Sequence, residues 1–148
     1  MAGPLTLDAS VFLNAFNPAE PHHADSSRLM AHVRANAIPL VTPTLALPEV
    51  SAAIARTTGD SDTARQFAEQ LRILPGLILV PLDETLALQA AQVAAEQRLR
   101  GSDAVYGAVC LRFGSALITL DREQLERLKP ILRTRTPRQA LDDLGRRA

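Results

Sequence analysis

An α/β protein with a mostly parallel sheet is what this sequence predicts, and three observations carry that reading. Short apolar runs, LTL at 5–7, LILV at 77–80 and ALITL at 116–120, have the length of buried strands. Between them lie segments whose apolar residues recur at intervals of three and four, the period of an amphipathic helix. The two kinds of segment alternate, and strands joined through helices run parallel and are covered on both faces. At 148 residues the chain has the size of one domain, taken as 1–148, with Pro and Gly dispersed rather than gathered into a linker.

The elements follow in order. Leu5–Leu7 reads as a strand closed by Asp8, and ASVFLNAF as a short helix after it. Past the break from Pro18 to Pro21, a helix from about Ala24 to Ala35 carries Leu29, Met30 and Val33. A strand is expected at Pro39–Val41. In TPTLALPEVSAAIART, Leu47, Val50, Ala53 and Ile54 have helical spacing, and Pro48 belongs in the first turn because an interior proline breaks a helix. Ser61 or Asp62 is expected to cap the next helix, with the stripe Phe67, Ala68, Leu71 and Leu74. Asp83 should start an alanine-rich helix running to about Arg100 and stopped by Gly101. Asp103 should open the helix AVYGAVCLRF, ended by Gly114; the strand ALITL and the helix REQLERL follow. A strand near Ile131 and a helix after Pro137 complete the chain.

Composition narrows the function. Formal net charge is zero, so the overall balance announces no nucleic-acid binder, although from Arg122 onward eight Arg or Lys stand against four Asp or Glu. Cys110 is the only cysteine, which excludes an internal disulfide and fits a reducing compartment; AVCLRF makes it a buried helix residue rather than a nucleophile. No apolar run approaches the ~20 residues needed to span a bilayer, and no signal-like segment opens the chain, so a cytoplasmic protein is expected. His22, His23 and His32 lack metal-ligand spacing and read as exposed helix residues.

Four isolated carboxylates remain: Asp8 in LTLDAS, Glu49 in LALPEV, Asp103 in RGSDAVYGAV and Asp121 in LITLDREQL. Each lies at the edge of an apolar segment, where an unpaired charge is costly and a divalent cation is an economical common partner. Asp8 and Asp121 fall at strand ends, where ligands bind in open parallel sheets. Helix capping, worth ~1 kcal/mol, explains Asp8, Asp103 or Asp121 singly, and a surface-facing helix position explains Glu49. Ser10 and Thr119 stand beside Asp8 and Asp121 and either support the acids or satisfy local turns. Gly107, one turn beyond Asp103, clears space for the site or for helix packing.

LTLDASVFL, the PEV helix, RGSDAVYGAV and ITLDREQLERL resemble, in order, the acidic motifs of PIN-domain ribonucleases, especially bacterial VapC-type toxins. The resemblance spans nearly the whole chain, and the last two motifs are its most specific part. It implies a single PIN-like domain in which Asp8, Glu49, Asp103 and Asp121 are catalytic and hydrolyse RNA with Mg²⁺, Mn²⁺ being the near substitute. Asp8, Asp103 and Asp121 would hold the metal and Glu49 would orient or deprotonate the water, with Ser10 and Thr119 behind them. An all-carboxylate donor set suits such hard ions, which can polarise a phosphoryl oxygen and generate a nucleophile near neutral pH. Water attack leaves 5′-phosphate and 3′-hydroxyl ends. The likeness further implies a VapB-type antitoxin partner and a homodimer. The alternatives are a stand-alone RNA-processing nuclease and a non-catalytic metal- or RNA-binding module. A haloacid-dehalogenase-like phosphatase needs a second Asp where Ser10 stands.

Overall fold

The structure, a computed structural model, describes residues 3–145. Five strands, β1 (Leu5–Leu7), β2 (Leu40–Pro43), β3 (Leu77–Val80), β4 (Ala116–Ile118) and β5 (Thr134–Arg135), form one sheet in the order β3-β2-β1-β4-β5. All pairings are parallel, with Leu5 opposite both Leu40 and Ala116. The expected α/β class with a parallel central sheet is therefore what the chain forms. Seven helices connect the strands among the described residues, α1 (Ala9–Phe16), α2 (His23–Ala35), α3 (Ala46–Thr58), α4 (Ser61–Arg72), α5 (Glu84–Gln97), α6 (Gly101–Phe113) and α7 (Arg122–Leu128), and an eighth, α8 (Pro137–Gly145), follows β5.

From β1 the chain moves one way to β2 and β3, then crosses back past β1 to β4. Right-handed crossovers made in opposite directions place α1 to α4 on one face and α5 and α6 on the other. A crevice opens between β1 and β4 at their carboxyl ends, where the strand order reverses. The burial pattern follows from this layout. β1, β2 and β4 are buried at every residue, so their sequences are apolar runs rather than alternations. α6 is buried without interruption from Asp103 to Cys110, because it lies under α5 and on the sheet. Gly107 serves that packing: a Cβ there would stand 3.0 Å from the Leu128 Cδ2 atom and 3.5 Å from Val93. The space it clears is taken by core side chains, not by the site.

Several boundaries differ from the sequence reading. α4 is capped by Asp60, whose carboxylate accepts from the amides of Asp62 and Thr63, rather than by Ser61 or Asp62. α5 ends at Gln97 without a glycine: Arg98 itself takes the left-handed conformation, φ 57°, and its amide bonds to Ala94. Gly101 consequently begins α6 instead of stopping α5, and Asp103 lies inside the first turn instead of opening the helix. Residues 129–132 turn back on Leu128, which displaces β5 from Ile131 to Thr134–Arg135. His22 is exposed, but His23 and His32 are half-buried, and the His23 Nδ1 atom lies 2.8 Å from the Asn14 carbonyl oxygen. The basic C-terminal segment is partly neutralised within the fold, since Arg135 pairs with Asp143 and Arg138 with Asp25 and Asp142. Arg146 and Arg147 lie outside the described residues.

Candidate active site

The ladder between β1 and β4 fixes the first acid. The Asp8 amide donates to the Ile118 carbonyl at 2.9 Å, so Asp8 is held directly beside the end of β4. Its Oδ2 accepts from the Ser10 amide at 3.0 Å and caps α1, while its Oδ1 faces the Gln124 amide nitrogen at 3.4 Å. Asp121, just past β4, caps α7 through the Gln124 backbone amide at 3.1 Å. Capping is thus real for Asp8 and Asp121, and each does it from the crevice.

Ser10, Thr119 and Gln124 stitch the two turns together. The Ser10 hydroxyl accepts from the Leu120 amide at 3.3 Å, and the Thr119 hydroxyl accepts from the Asp121 amide at 3.0 Å. The same Thr119 hydroxyl donates to the Gln124 Oε1 at 2.6 Å, which turns the Gln124 NH₂ toward Asp8. Gln124 and Thr119 are fully buried. Ser10 therefore bonds Asp8 and the Leu120 amide, and Thr119 bonds the Asp121 amide and Gln124.

Two helices deliver the other acids. Asp103 is the third residue of α6 and has only 11% of its side chain exposed. Glu49 lies in the first turn of α3, half-buried, and its Oε1 accepts from the Tyr106 hydroxyl at 2.7 Å. Tyr106 is one turn beyond Asp103 and wholly buried, so α6 supplies both an acid to the crevice and the anchor for Glu49.

Charge repulsion links Asp8 with Asp121, Asp103 and Glu49, and Asp103 with Asp121 and Glu49. Burial raises Asp8 above the ordinary carboxylate range, against the lowering hydrogen bonds from Ser10 and Gln124, and the charge of Asp121 adds to the rise. Burial likewise raises Glu49, with Asp8 and Asp103 reinforcing it against the Tyr106 hydrogen bond. Asp103 is raised by burial first, then by Asp121 and Asp8, and lowered by Arg100. A bound cation reverses all of these repulsions.

Divalent ions fit the chemistry of this donor set, which is carboxylate oxygen with no competing thiol or imidazole. A cationic group already stands there: the Arg100 guanidinium places Nε 3.3 Å from Asp103 Oδ2 and Nη2 3.5 Å from Asp121 Oδ2. As the side chains stand, no three His, Cys, Asp or Glu among the described residues converge closely enough to hold a metal ion. Asp8, Asp103 and Asp121 are the residues that would hold an ion here, and they would have to draw together around it. Beside Glu49 a groove of about 450 Å³ runs along α1 and α3, lined by small residues including Ala9, Ser10 and Ala52, with Arg56 along it.

Sequence reasoning missed three contributors. Arg100 and Tyr106 stand three residues either side of Asp103, so helical spacing puts them near it, and Gln124 is the third residue after the Asp121 cap, where capping boxes carry Glu or Gln.

A crevice lined by acids at the switch point of a parallel sheet is where ligands bind in open α/β folds. The PIN domain model matches residues 5–129, and the chain belongs to the PIN-domain family. At family level this marks a nuclease domain, and PIN nucleases use divalent metal ions. The structure resembles VapC20 of Mycobacterium tuberculosis, described as a sarcin-ricin loop cleaving toxin, at TM-score 0.68 and 21% identity over 81% of this chain and 92% of that one. It also resembles PAE2754 of Pyrobaculum aerophilum, at TM-score 0.68 and 21% identity over 98% of this chain and 91% of that one. VapBC2 of Rickettsia felis, solved bound to a promoter DNA fragment, aligns at TM-score 0.68 and 12% identity, over 89% of this chain and 97% of that one. None of the curated proteins matches the chain in sequence. No helix among the described residues is long and apolar enough to cross a membrane.

Proposed function

We propose that this chain is a metal-dependent endoribonuclease that hydrolyses RNA phosphodiester bonds, acting as the toxin of a type II toxin–antitoxin pair. The observation that carries the reading is the meeting of Asp8, Glu49, Asp103 and Asp121 at the β1/β4 crevice from four separate stretches of sequence. Asp8, Asp103 and Asp121 are the residues to hold Mg²⁺, or Mn²⁺ in its place. Such an ion supplies charge neutralisation at the phosphoryl oxygens and an acidified water. Glu49, held by Tyr106 and raised by its burial, is the residue that would orient an attacking water and accept its proton. The groove along α1 and α3 gives the RNA backbone a path past Glu49, with Arg56 available to a phosphate. Complexes of toxins with antitoxins among the structural neighbours support a VapB-type antitoxin as partner. The protein is further proposed to act as a cytoplasmic homodimer.

The test compares wild type with Asp103→Asn. Asp103 neither caps a helix nor bonds to the backbone, so the variant is expected to fold. Wild type should cleave RNA in Mg²⁺ or Mn²⁺, stop in chelator, and slow growth unless the antitoxin is co-expressed; Asp103→Asn should do none of these. Equal growth inhibition by both forms would exclude toxicity from this site. Metal binding without any RNA cleavage by wild type would instead favour the non-catalytic module.

A further inference from the structure

Arg100 is out of keeping with its surroundings. It sits at the N-cap position of α6 without making a cap bond, and its side chain is 70% exposed, yet it points back at the acids rather than into water. Among the described residues it is the basic side chain whose ion pairs reach the crevice, meeting Asp103 and Asp121 at once. Neither contact is the short, parallel bidentate pair that guanidinium and carboxylate form when fully committed to each other. The two distances, 3.3 and 3.5 Å, describe one cation shared between two carboxylates from different elements. A divalent ion held by the same carboxylates would occupy the same region of charge.

We infer that Arg100 is the resident counter-ion of this site: it holds Asp103 and Asp121 while metal is absent, withdraws when metal binds, and then contacts the RNA backbone. The inference rests on the proposed function. Its physical basis is competition, since one set of anionic oxygens cannot satisfy both a guanidinium and a dehydrated metal ion. The exposure of Arg100 limits the cost of withdrawal, because the freed guanidinium returns to water while a bound ion takes its place beside the nearly buried Asp103. Released at the rim, it offers the planar fork of donors suited to a phosphate.

The role predicts opposite movements of two affinities, which distinguishes it from an ordinary site residue whose loss weakens both. Calorimetric titration with Mn²⁺ of Arg100→Gln should show binding about three- to tenfold tighter than wild type, the range of one or two exposed ion pairs. Affinity for a short RNA carrying a non-hydrolysable linkage, measured with Mn²⁺ saturating, should fall by a similar factor. Arg122→Gln is the control, because Arg122 is exposed, adjacent to Asp121 in sequence, and forms no ion pair with the acids. It should leave the Mn²⁺ affinity unchanged. Unchanged or weaker Mn²⁺ binding in Arg100→Gln, or an equal gain in Arg122→Gln, would overturn the counter-ion role. Unchanged RNA affinity in Arg100→Gln would overturn the contact with RNA. If wild type itself bound no Mn²⁺ and cleaved no RNA, the proposed function would fail first, and that result is separate from either of these.

Discussion

Asp60 and Asp8 perform the same local task with opposite electrostatic results. Each precedes a helix and caps its first turn, Asp8 through the Ser10 amide and Asp60 through the amides of Asp62 and Thr63. Asp60 is exposed, and the hydroxyl of Thr63, then its amide, hold the Asp60 carboxyl below its ordinary range. Asp8 is buried beside three other acids, and desolvation outweighs its cap bonds, so it rises instead. A cap is a local device, whereas a site is made by what the tertiary fold brings around the cap. A sequence motif can mark a residue as a candidate for either role, and the strand order brings the separate motifs to one crevice.

The sharpest way to break this comparison is at Glu49, which makes no cap bond and is held instead by the Tyr106 hydroxyl. Glu49→Gln keeps its size and leaves an oxygen to accept from Tyr106, so the fold should persist. RNA cleavage at saturating metal should fall ~10²–10⁴-fold, the usual loss when a general base is removed. Mn²⁺ affinity, followed by calorimetry, should change far less. Full single-turnover activity would return Glu49 to a plain structural role.

Much of this architecture was legible before any coordinates. The strands at 5–7 and 116–118 are buried at every residue and therefore read as apolar runs, and Asp8 and Asp121 stand out because those runs end at or near them, while the run at 77–80 is legible although Ile78 is exposed. Arg98 hid the end of α5, because a left-handed arginine leaves no compositional mark where a glycine would. That error moved the start of α6, and with it the turn in which Arg100 faces Asp103 became invisible. Gln124 was overlooked because its polar side chain is fully buried inside a helix that reads as solvated; its partners, Thr119 and Asp8, lie five and 116 residues away. Side-chain networks across the switch point are a property of topology, not of any window of sequence.

The two aspartates should also separate by pH. Asp60 has a folded-state pKa below its unfolded value, so its stabilisation is present above the unfolded value and is lost as pH falls through the folded one. Asp8, Glu49 and Asp103 are raised, so their sign is the reverse: the stability they contribute is complete below the unfolded value and is lost as pH rises through the folded one. In chelator, the melting temperature should therefore climb as pH is lowered from neutrality toward the ordinary carboxylate range. Asp8→Asn should flatten this rise and increase stability at neutral pH, since asparagine also caps helices. Asp60→Asn should change the profile only at more acidic pH. A metal-free melting temperature that fell over the upper range, in wild type, would mean that burial and repulsion do not dominate the crevice.

Asp83 offers the smallest and cleanest contrast, because it has the cap without the site. Its carboxylate accepts from the Leu86 amide at 2.8 Å at the start of α5. Leu86 is fully buried, packed with Val41, Val80, Ala90 and Val105. Removing the acceptor leaves an amide without its partner at a helix start, and a lost aspartate cap typically costs ~1 kcal/mol. Asp83→Ala should lower stability by about that amount in chemical denaturation. Its RNA cleavage and Mn²⁺ affinity should equal those of wild type, since no contact joins Asp83 to the four acids. A comparable stability loss accompanied by weaker Mn²⁺ binding would show that the start of α5 is coupled to the crevice through α6, and the separation drawn between cap and site would then be too sharp.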